Sequence, residues 1–317
     1  GESHGHSVGV MIDGCPPGIS ISEDDLNKDL DRRRSGASGT TPRKEHDIPE
    51  IISGVYNGLS TGAPIVISTR NTNIQSSDYD NVKNVPRPGH ADFTSDIKYK
   101  GFADKRGGGH FSGRLTWGLV AAGTIARKIL EGVDIKASLT EAGGSENIEQ
   151  AIEKASAEKD SIGAIISCKI DNVPAGLGEP FFDSVESAIS QIIFSIPAIK
   201  GIEFGSGFGA SRMRGSEHND LIINSVGLTE TNNAGGINGG ISSGNSIIFR
   251  LAVKPTSSIP ATQKTFDMES GRISDLKIEG RHDVCIALRI PVIAESAAAI
   301  ALADLKLRDR GICGERK

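Results

Sequence analysis

Apolar residues recur along this chain with two spacings. Short β-branched runs at 8–13, 64–69, 162–170, 246–254 and 283–290, each bounded by Gly, Pro or Asp, predict strands. Residues 22–34 predict a helix: Ser22 with Asp25 three places on forms a capping box, and Leu26 and Leu30 lie one turn apart. Acids crowd its start and Arg32, Arg33 and Arg34 its end, which suits the helix dipole. A Leu119, Val120, Thr124, Ile125 stripe predicts a helix over 116–131, and Val185, Ala188, Ile189, Ile192, Ile193 and Ile196 predict one over 183–196. An alanine-rich segment, 292–307, predicts a closing helix.

The pattern repeats faintly. Ile12-Asp13-Gly14-Cys15-Pro16-Pro17-Gly18-Ile19 leads from a strand toward the helix at Ser22. Ile170-Asp171-Asn172-Val173-Pro174-Ala175-Gly176-Leu177 does the same toward the helix near Asp183. A strand, an Asp–Pro–Gly turn and an amphipathic helix thus occur twice, which predicts a duplicated α+β architecture. No Ser/Pro linker separates the halves; the acidic stretch 141–160 is the one soft boundary.

Composition narrows the class. Of 317 residues 39 are glycine, well above the ~7% of average usage, so tight turns are expected in number. A net charge of -5 argues against a general nucleic-acid binder. No uninterrupted apolar run reaches the ~18 residues of a membrane span, and no leader is visible at the first residues. Four scattered cysteines without a C-x-x-C pair fit a reducing compartment, so a cytoplasmic protein with no membrane partner is expected.

Four segments concentrate chemistry. Residues 1–6 place His4 before a strand, either as an exposed histidine or as a general acid titrating near neutrality. Arg32–Arg34, with Arg43 and Lys44 beyond a loop, either finish a helix or cradle an oxyanion; at ~100° per residue they cannot all reach one ligand. Arg87-Pro88-Gly89-His90-Ala91-Asp92 and Arg106-Gly107-Gly108-Gly109-His110-Phe111-Ser112-Gly113-Arg114 set histidines and arginines in glycine-rich backbone suited to an anion. Lys254-Pro255-Thr256-Ser257-Ser258, with Arg281-His282-Asp283 further on, suits a phosphate or ring carbonyl. Gly205-Ser206-Gly207-Phe208-Gly209 is not read as a dinucleotide loop, because no amphipathic helix follows it. There is no P-loop, zinc spacing or nucleophile elbow. The inventory favours a polyanionic small molecule and proton transfers.

In this order the segments resemble the chorismate synthase family along essentially the whole chain. The resemblance is carried by residues 1–5 with Ile12-Asp13-Gly14 and Pro17-Gly18, by 32–36, by 87–92, and by 107–114 running into 120–126. It continues through Gly235-Gly236-Ile237-Asn238-Gly239-Gly240-Ile241-Ser242, through 254–258, and through 280–283 with Pro291 and Glu295. It implies an α+β fold, a β-α-β sandwich with antiparallel sheets around helices. One domain would span 1–317, with pseudo-repeat halves of about 1–140 and 160–317, assembled as a homotetramer. The implied reaction is anti-1,4-elimination of phosphate and a ring proton from 5-enolpyruvylshikimate 3-phosphate, the last step of the shikimate pathway. Reduced FMN would serve without net redox change, reduced with NADPH by the chain itself or supplied by an outside reductase. A flavin reductase or other FMN-dependent redox enzyme is the alternative, and an anion- or RNA-binding module a more distant one.

By the same resemblance His4 protonates the departing phosphate, His90 stabilises or protonates the reduced flavin, and Asp283 assists removal of the ring proton. Ser3, Arg33, Arg34, Arg43, Arg87, Arg114 and Arg281 would bind the substrate. His110, Phe111, Ser112, Pro197, Ala198, Gly239, Lys254, Pro255, Thr256, Ser257, Ser258 and Arg281 would contact the flavin. Several positions depart from the family pattern. No arginine stands near Ser38-Gly39, His110-Phe111-Ser112-Gly113 replaces the commoner Arg-Ser-Ser-Ala, Leu115 replaces an acid, and Pro197 an asparagine. The region 142–150 looks shortened. The sequence opens at the first motif, without a preceding strand, so looser placement of His4 is expected.

Overall fold

The computed structural model describes residues 1–36, 39–40, 46–72, 84–278 and 282–314. Its first half runs β1 (Ser7–Ile12), α1 (Glu23–Arg33), β2 (Glu50–Ser53), the hairpin β3 (Val55–Tyr56) and β4 (Leu59–Ser60), and β5 (Ile65–Arg70). After α2 (Asp92–Lys98) and two 3-10 turns comes α3 (Thr116–Ile129). Then follow β6 (Asp134–Ala142), α4 (Ile148–Ala157) and β7 (Ala164–Asp171). The second half continues with α5 (Val185–Ile193), β8 (Ile199–Phe204), a short α6 (Gly215–His218), the hairpin β9 (Ile237–Asn238) and β10 (Ile241–Ser242), and β11 (Ile247–Val253). It ends with β12 (Gln263–Asp267), β13 (Arg272–Leu276) and α7 (Ile290–Cys313).

Two antiparallel sheets, β1-β5-β2 and β6-β7-β11-β8, form the outer layers. Each turns its alternate apolar residues inward: Val8, Ile65 and Ile67 from one, Ile166, Cys168, Ile170, Phe249 and Leu251 from the other, all buried. Between them α1 and α3 pack beneath the first sheet, α5 and α7 beneath the second, and α3 crosses α7 at the centre. Gly123 makes that crossing close, since a Cβ there would sit 2.6 Å from Ser296 Cα. This sheet–helices–sheet order is the expected β-α-β sandwich.

The element sequence β1, α1, β2, hairpin, β5, α3 matches β7, α5, β8, hairpin, β11, α7, and so do the bonds. Ser60 Oγ donates to the Pro16 carbonyl (2.6 Å) and accepts from Ile19 N–H (2.8 Å). Ser242 Oγ donates to the Pro174 carbonyl (2.7 Å) and accepts from Leu177 N–H (2.9 Å). Both hairpins turn through two residues of positive φ, Asn57-Gly58 and Gly239-Gly240, the geometry that follows strand twist. Each serine is buried. Ser60→Ala and Ser242→Ala, which strand a carbonyl and an N–H, are each expected to lower stability by about 1–3 kcal/mol in urea unfolding. An unchanged midpoint would show that the hydroxyl contributes nothing net.

Two expectations need correction. Residues 283–290 are not a strand: Ile286–Arg289 form a 3-10 turn feeding α7. Val284 and Ile286 alternate in the sequence but are only partly buried, while Cys285 and Ala287 are the buried pair, and Pro291 in the first turn starts the helix. Secondly, the segment Ile286–Cys313 is long and apolar enough to cross a membrane, and 72% of its apolar window is buried inside the protein. Glu295 interrupts the apolar run, so the sequence pattern hides this length. The helix is the last element, as expected, and is also central, packed on α3, α5 and β6. The acidic stretch 141–160 holds the end of β6 and α4, with Ile152 and Ala155 in the core.

Candidate functional site

The Arg87–Asp92 turn builds a charged cluster from adjacent residues. Asp92 opens α2, and its Oδ2 accepts from Arg87 Nε (2.7 Å) and Arg87 N–H (3.0 Å). Asp92 Oδ1 accepts from Arg87 Nη2 (2.7 Å) and lies 2.7 Å from His90 Nδ1. Burial alone would raise the Asp92 pKa, but the hydrogen bonds from Arg87 and His90 outweigh it and hold the carboxyl well below the usual range. Asp92 is therefore ionised, and its contribution to stability is present above pH ~4 and is lost only as pH falls further.

Opposite this cluster runs a glycine loop. Gly107, Gly108 and Gly109 all have positive φ (65°, 102° and 54°), a run that favours glycine. A Cβ on Gly107 would lie 2.4 Å from the His4 ring, and one on Gly108 3.3 Å from His90 Cε1. The loop therefore passes between the two histidines. His4 is buried, and its turn is tied down rather than loose. Ser3 N–H donates to the Gly109 carbonyl (3.1 Å), and Asn71 Nδ2 to the Gly5 carbonyl (2.8 Å). Arg114 in turn holds Asn71 Oδ1 through Nε (3.0 Å) and Nη2 (2.9 Å). Asn71 was not legible as a site residue; only the fold brings it to residues 1–6.

The end of β11 closes the other wall. Lys254 Nζ donates to the Gly89 carbonyl (2.8 Å) and Ser257 Oγ (2.5 Å), docking the His90 turn on this strand end. Burial, then the neighbouring Lys200, lowers the Lys254 pKa. Ser258 Oγ accepts from Arg87 Nη1 at 3.4 Å. Lys254 N–H donates to the carbonyl of Ala198, whose φ of 74° is unusual for a residue with a Cβ. Thr256 Oγ1 is buried with no partner among the described residues.

These walls enclose a cavity of about 520 Å³, within the range of small-molecule sites. It gathers Arg87, His90, His110, Phe111, Ser112, Pro197, Ala198, Lys254–Ser258 and Asp283 from separate segments. The sequence did not single out Lys200, which adds a third cation to Arg87 and Lys254. Asp283 is the one acid among the described lining residues, and the Arg289 guanidinium lies 3.9 Å from its carboxylate. A cationic, histidine-rich cavity with one carboxylate suits a polyanion and proton movement. No cluster with metal-binding composition occurs among the described residues.

Other expected residues lie elsewhere. Ser3 and His4 sit behind Gly107 rather than on the cavity wall. Arg33 is 1% exposed. It donates to Thr116 Oγ1 and to the Gly113 and Arg114 carbonyls, and lies 3.6 Å from Asp47. Arg114, also buried, pairs with Asp47 at 2.5 Å. Arg34 bonds Asp31 and the His46 carbonyl, and Arg32 bonds Glu295. These guanidiniums are held by internal partners, because the end of α1 packs under the loop leading to α3. Gly239 is at a hairpin tip with open space around it. Arg43 and Arg281 lie outside the described residues. At Gly207, Glu203 already supplies the anion, accepting from Phe208 N–H at 2.9 Å, which agrees with rejecting a dinucleotide loop there.

The chorismate synthase family model matches residues 1–307. A chorismate synthase of Chitinophaga pinensis is 58% identical over 98% of this chain and 94% of its own length. One from Dehalococcoides mccartyi is 46% identical over 97% of this chain and 93% of its own. A crystal structure of chorismate synthase superposes with a TM-score of 0.75 at 26% identity, covering 98% of this chain and 91% of that one.

Proposed function

Because the chain belongs to the chorismate synthase family, carbon–oxygen lyases of the shikimate pathway, we propose that the 520 Å³ cavity is where it eliminates phosphate from 5-enolpyruvylshikimate 3-phosphate to form chorismate. One observation carries this reading: Arg87 and His90 from one turn, Lys254 from a strand end and Asp283 from a third segment line one cavity. The substrate carries a phosphate and two carboxylates, for which Arg87 is a chemically matched partner.

The family uses reduced FMN. The residues present fit such a group: the cavity is large enough, its lysines suit a phosphate, and the buried Thr256 hydroxyl awaits a partner. Lys254, Thr256, Ser257, Ser258, Ala198 and Phe111 would hold it, and when bound it supplies a reducing ring system with no net redox change over the turnover. Around it, Asp283 assists removal of the ring proton, and His90 presents Nε2 to the cavity as its proton-exchanging atom. His4 delivers a proton to the departing phosphate oxygen, reached past Gly107. The elimination breaks one C–H and one C–O bond and forms a double bond, so no external nucleophile is required. We further read the chain as a cytoplasmic homotetramer; the exposed Met11, Tyr56, Phe181 and Phe182 are apolar enough to be covered by other copies. Reduction of the flavin with NADPH remains part of this reading.

The test is anaerobic incubation of the chain with the phosphorylated substrate and reduced FMN, following phosphate release and the ultraviolet absorbance of product. Turnover is expected in the parent, with a loss of about 100-fold or more in His4→Ala and in Asp283→Ala. Parental rates in both variants would remove these role assignments. Steady nicotinamide oxidation without the shikimate substrate, and no phosphate, would instead identify a flavin reductase.

A further inference from the structure

We propose that Asp92 is the positioning residue of this site: clamped by Arg87, its carboxylate fixes His90 with the proton on Nδ1, leaving Nε2 as the atom that meets the cavity. The inference rests on the lyase reading for what His90 does there, and on geometry for how the ring is held.

Each Asp92 oxygen has two close nitrogen neighbours. Oδ2 accepts from Arg87 Nε and the Arg87 backbone N–H, at 2.7 and 3.0 Å. Oδ1 accepts from Arg87 Nη2 at 2.7 Å and faces His90 Nδ1 at 2.7 Å. A bidentate guanidinium fixes both the plane and the charge of a carboxylate. An ionised oxygen cannot sit 2.7 Å from a nitrogen lone pair, so His90 Nδ1 carries its hydrogen and donates it. Arg87 Nη2 also lies 3.1 Å from Nδ1, but its hydrogen goes to Oδ1, the common acceptor. Neither partner can swing away easily. Arg87 is buried and reaches Ser258, while Gly89, between Arg87 and His90, is held by Lys254 and Ser257. On its far side the ring lies against Gly108, whose missing side chain lets it approach.

A histidine with one nitrogen committed to a carboxylate has one tautomer and one orientation, the property a proton-transfer group needs. An Asn at position 92 keeps size and one acceptor but loses the charge that orders the Arg87 pair, so the Nδ1–H tautomer is no longer imposed. The residue therefore acts through His90, not on the substrate.

The experiment is nitrogen-resolved NMR of the full chain labelled with [15N]histidine, the His90 signals being assigned by their absence in His90→Gln. The parent is expected to show a proton on His90 Nδ1, and Asp92→Asn to move that proton to Nε2. In parallel, kcat in Asp92→Asn should fall about 100-fold with KM for the phosphorylated substrate unchanged, a split that general loosening of the fold does not produce. An unprotonated Nδ1 in the parent overturns the proposal, as does an Asp92→Asn variant with the parental tautomer and kcat. Should Asp92→Asn not fold, the parent spectrum decides. That spectrum needs no substrate, so failure of the parent to release phosphate overturns the lyase reading and leaves the tautomer assignment to be judged separately.

Discussion

Gly107→Ala is expected to reduce turnover by about 100-fold or more. Two effects combine. The backbone at 107 has φ of 65°, where an alanine costs roughly 1–2 kcal/mol. The new Cβ would also lie 2.4 Å from His4 Cδ2 and Nε2 and 2.8 Å from Ser3 Oγ, well inside contact distance. The Ser3–His4 turn cannot retreat without breaking the Gly109 bond of Ser3 or the Asn71 clamp on Gly5, so the imidazole must leave its place. Gly101→Ala separates the two effects, because its φ is 81° and nothing lies within 4 Å of the new Cβ. That variant should lose stability to backbone strain and keep its turnover. The comparison is made by kcat and by urea unfolding. Equal kcat in the two variants would show that the contact of Gly107 with His4 has no part in catalysis.

The same loop shows what a sequence can and cannot disclose. Three successive glycines before a histidine already speak for a backbone in unusual conformation, and the φ values agree. Which side chains that backbone separates is a tertiary fact: His4 is remote in sequence, and nothing near it points to Gly107. The capping box at Ser22 and Asp25 was legible because both partners lie within one helical turn. The run of β11 was legible because each alternate residue meets the core. The 3-10 turn at Ile286–Arg289 was not, since alternation there has no sheet to pair with, and Pro291 outweighs it by starting α7.

The arginines make the contrast sharper. Helical spacing establishes that Arg32, Arg33 and Arg34 diverge, but not what each meets. Arg32 goes to Glu295, Arg33 to Thr116 and Asp47, and Arg34 to Asp31. A basic run that reads either as a helix end or as an anion cradle makes these contacts within the protein itself. Conversely Asp92 stood in full view in the Arg87–Asp92 motif without a role, because its importance comes from a turn that folds it back on Arg87 and His90. Net charge was equally uninformative about the cavity. A chain of net charge -5 sets, among the described lining residues, Arg87, Lys200 and Lys254 against Asp283 as the one acid, since charge averages over the surface and a site does not.

Glu295→Ala is expected to cost about 3–5 kcal/mol, a large share of the ~5–15 kcal/mol that stabilises a domain. Glu295 is 2% exposed in the second turn of α7. Its Oε1 accepts from Arg32 Nη2 (2.8 Å) and Ala137 N–H (2.9 Å), and its Oε2 from Arg32 Nη1 and Arg127 Nη2, both at 2.7 Å. One side chain thereby joins α1, α3, α7 and β6. Arg32 is half exposed and keeps Asp29 at 3.2 Å, so water and a second carboxylate soften its loss. Arg127 and Ala137 have less recourse. Arg127 is three-quarters buried, with Asp29 at 3.6 Å, and Ala137 N–H loses its acceptor. The penalty therefore comes from groups stranded, not from a bond removed. Removing the stranded cation as well should return part of it. Glu295→Leu combined with Arg127→Leu is expected to be more stable than Glu295→Leu alone, since apolar residues can replace a buried pair at little cost. Urea unfolding of parent, single and double variants gives the cycle. Were the double variant no better than Glu295→Leu, the stranded Arg127 charge could not be the source of the loss.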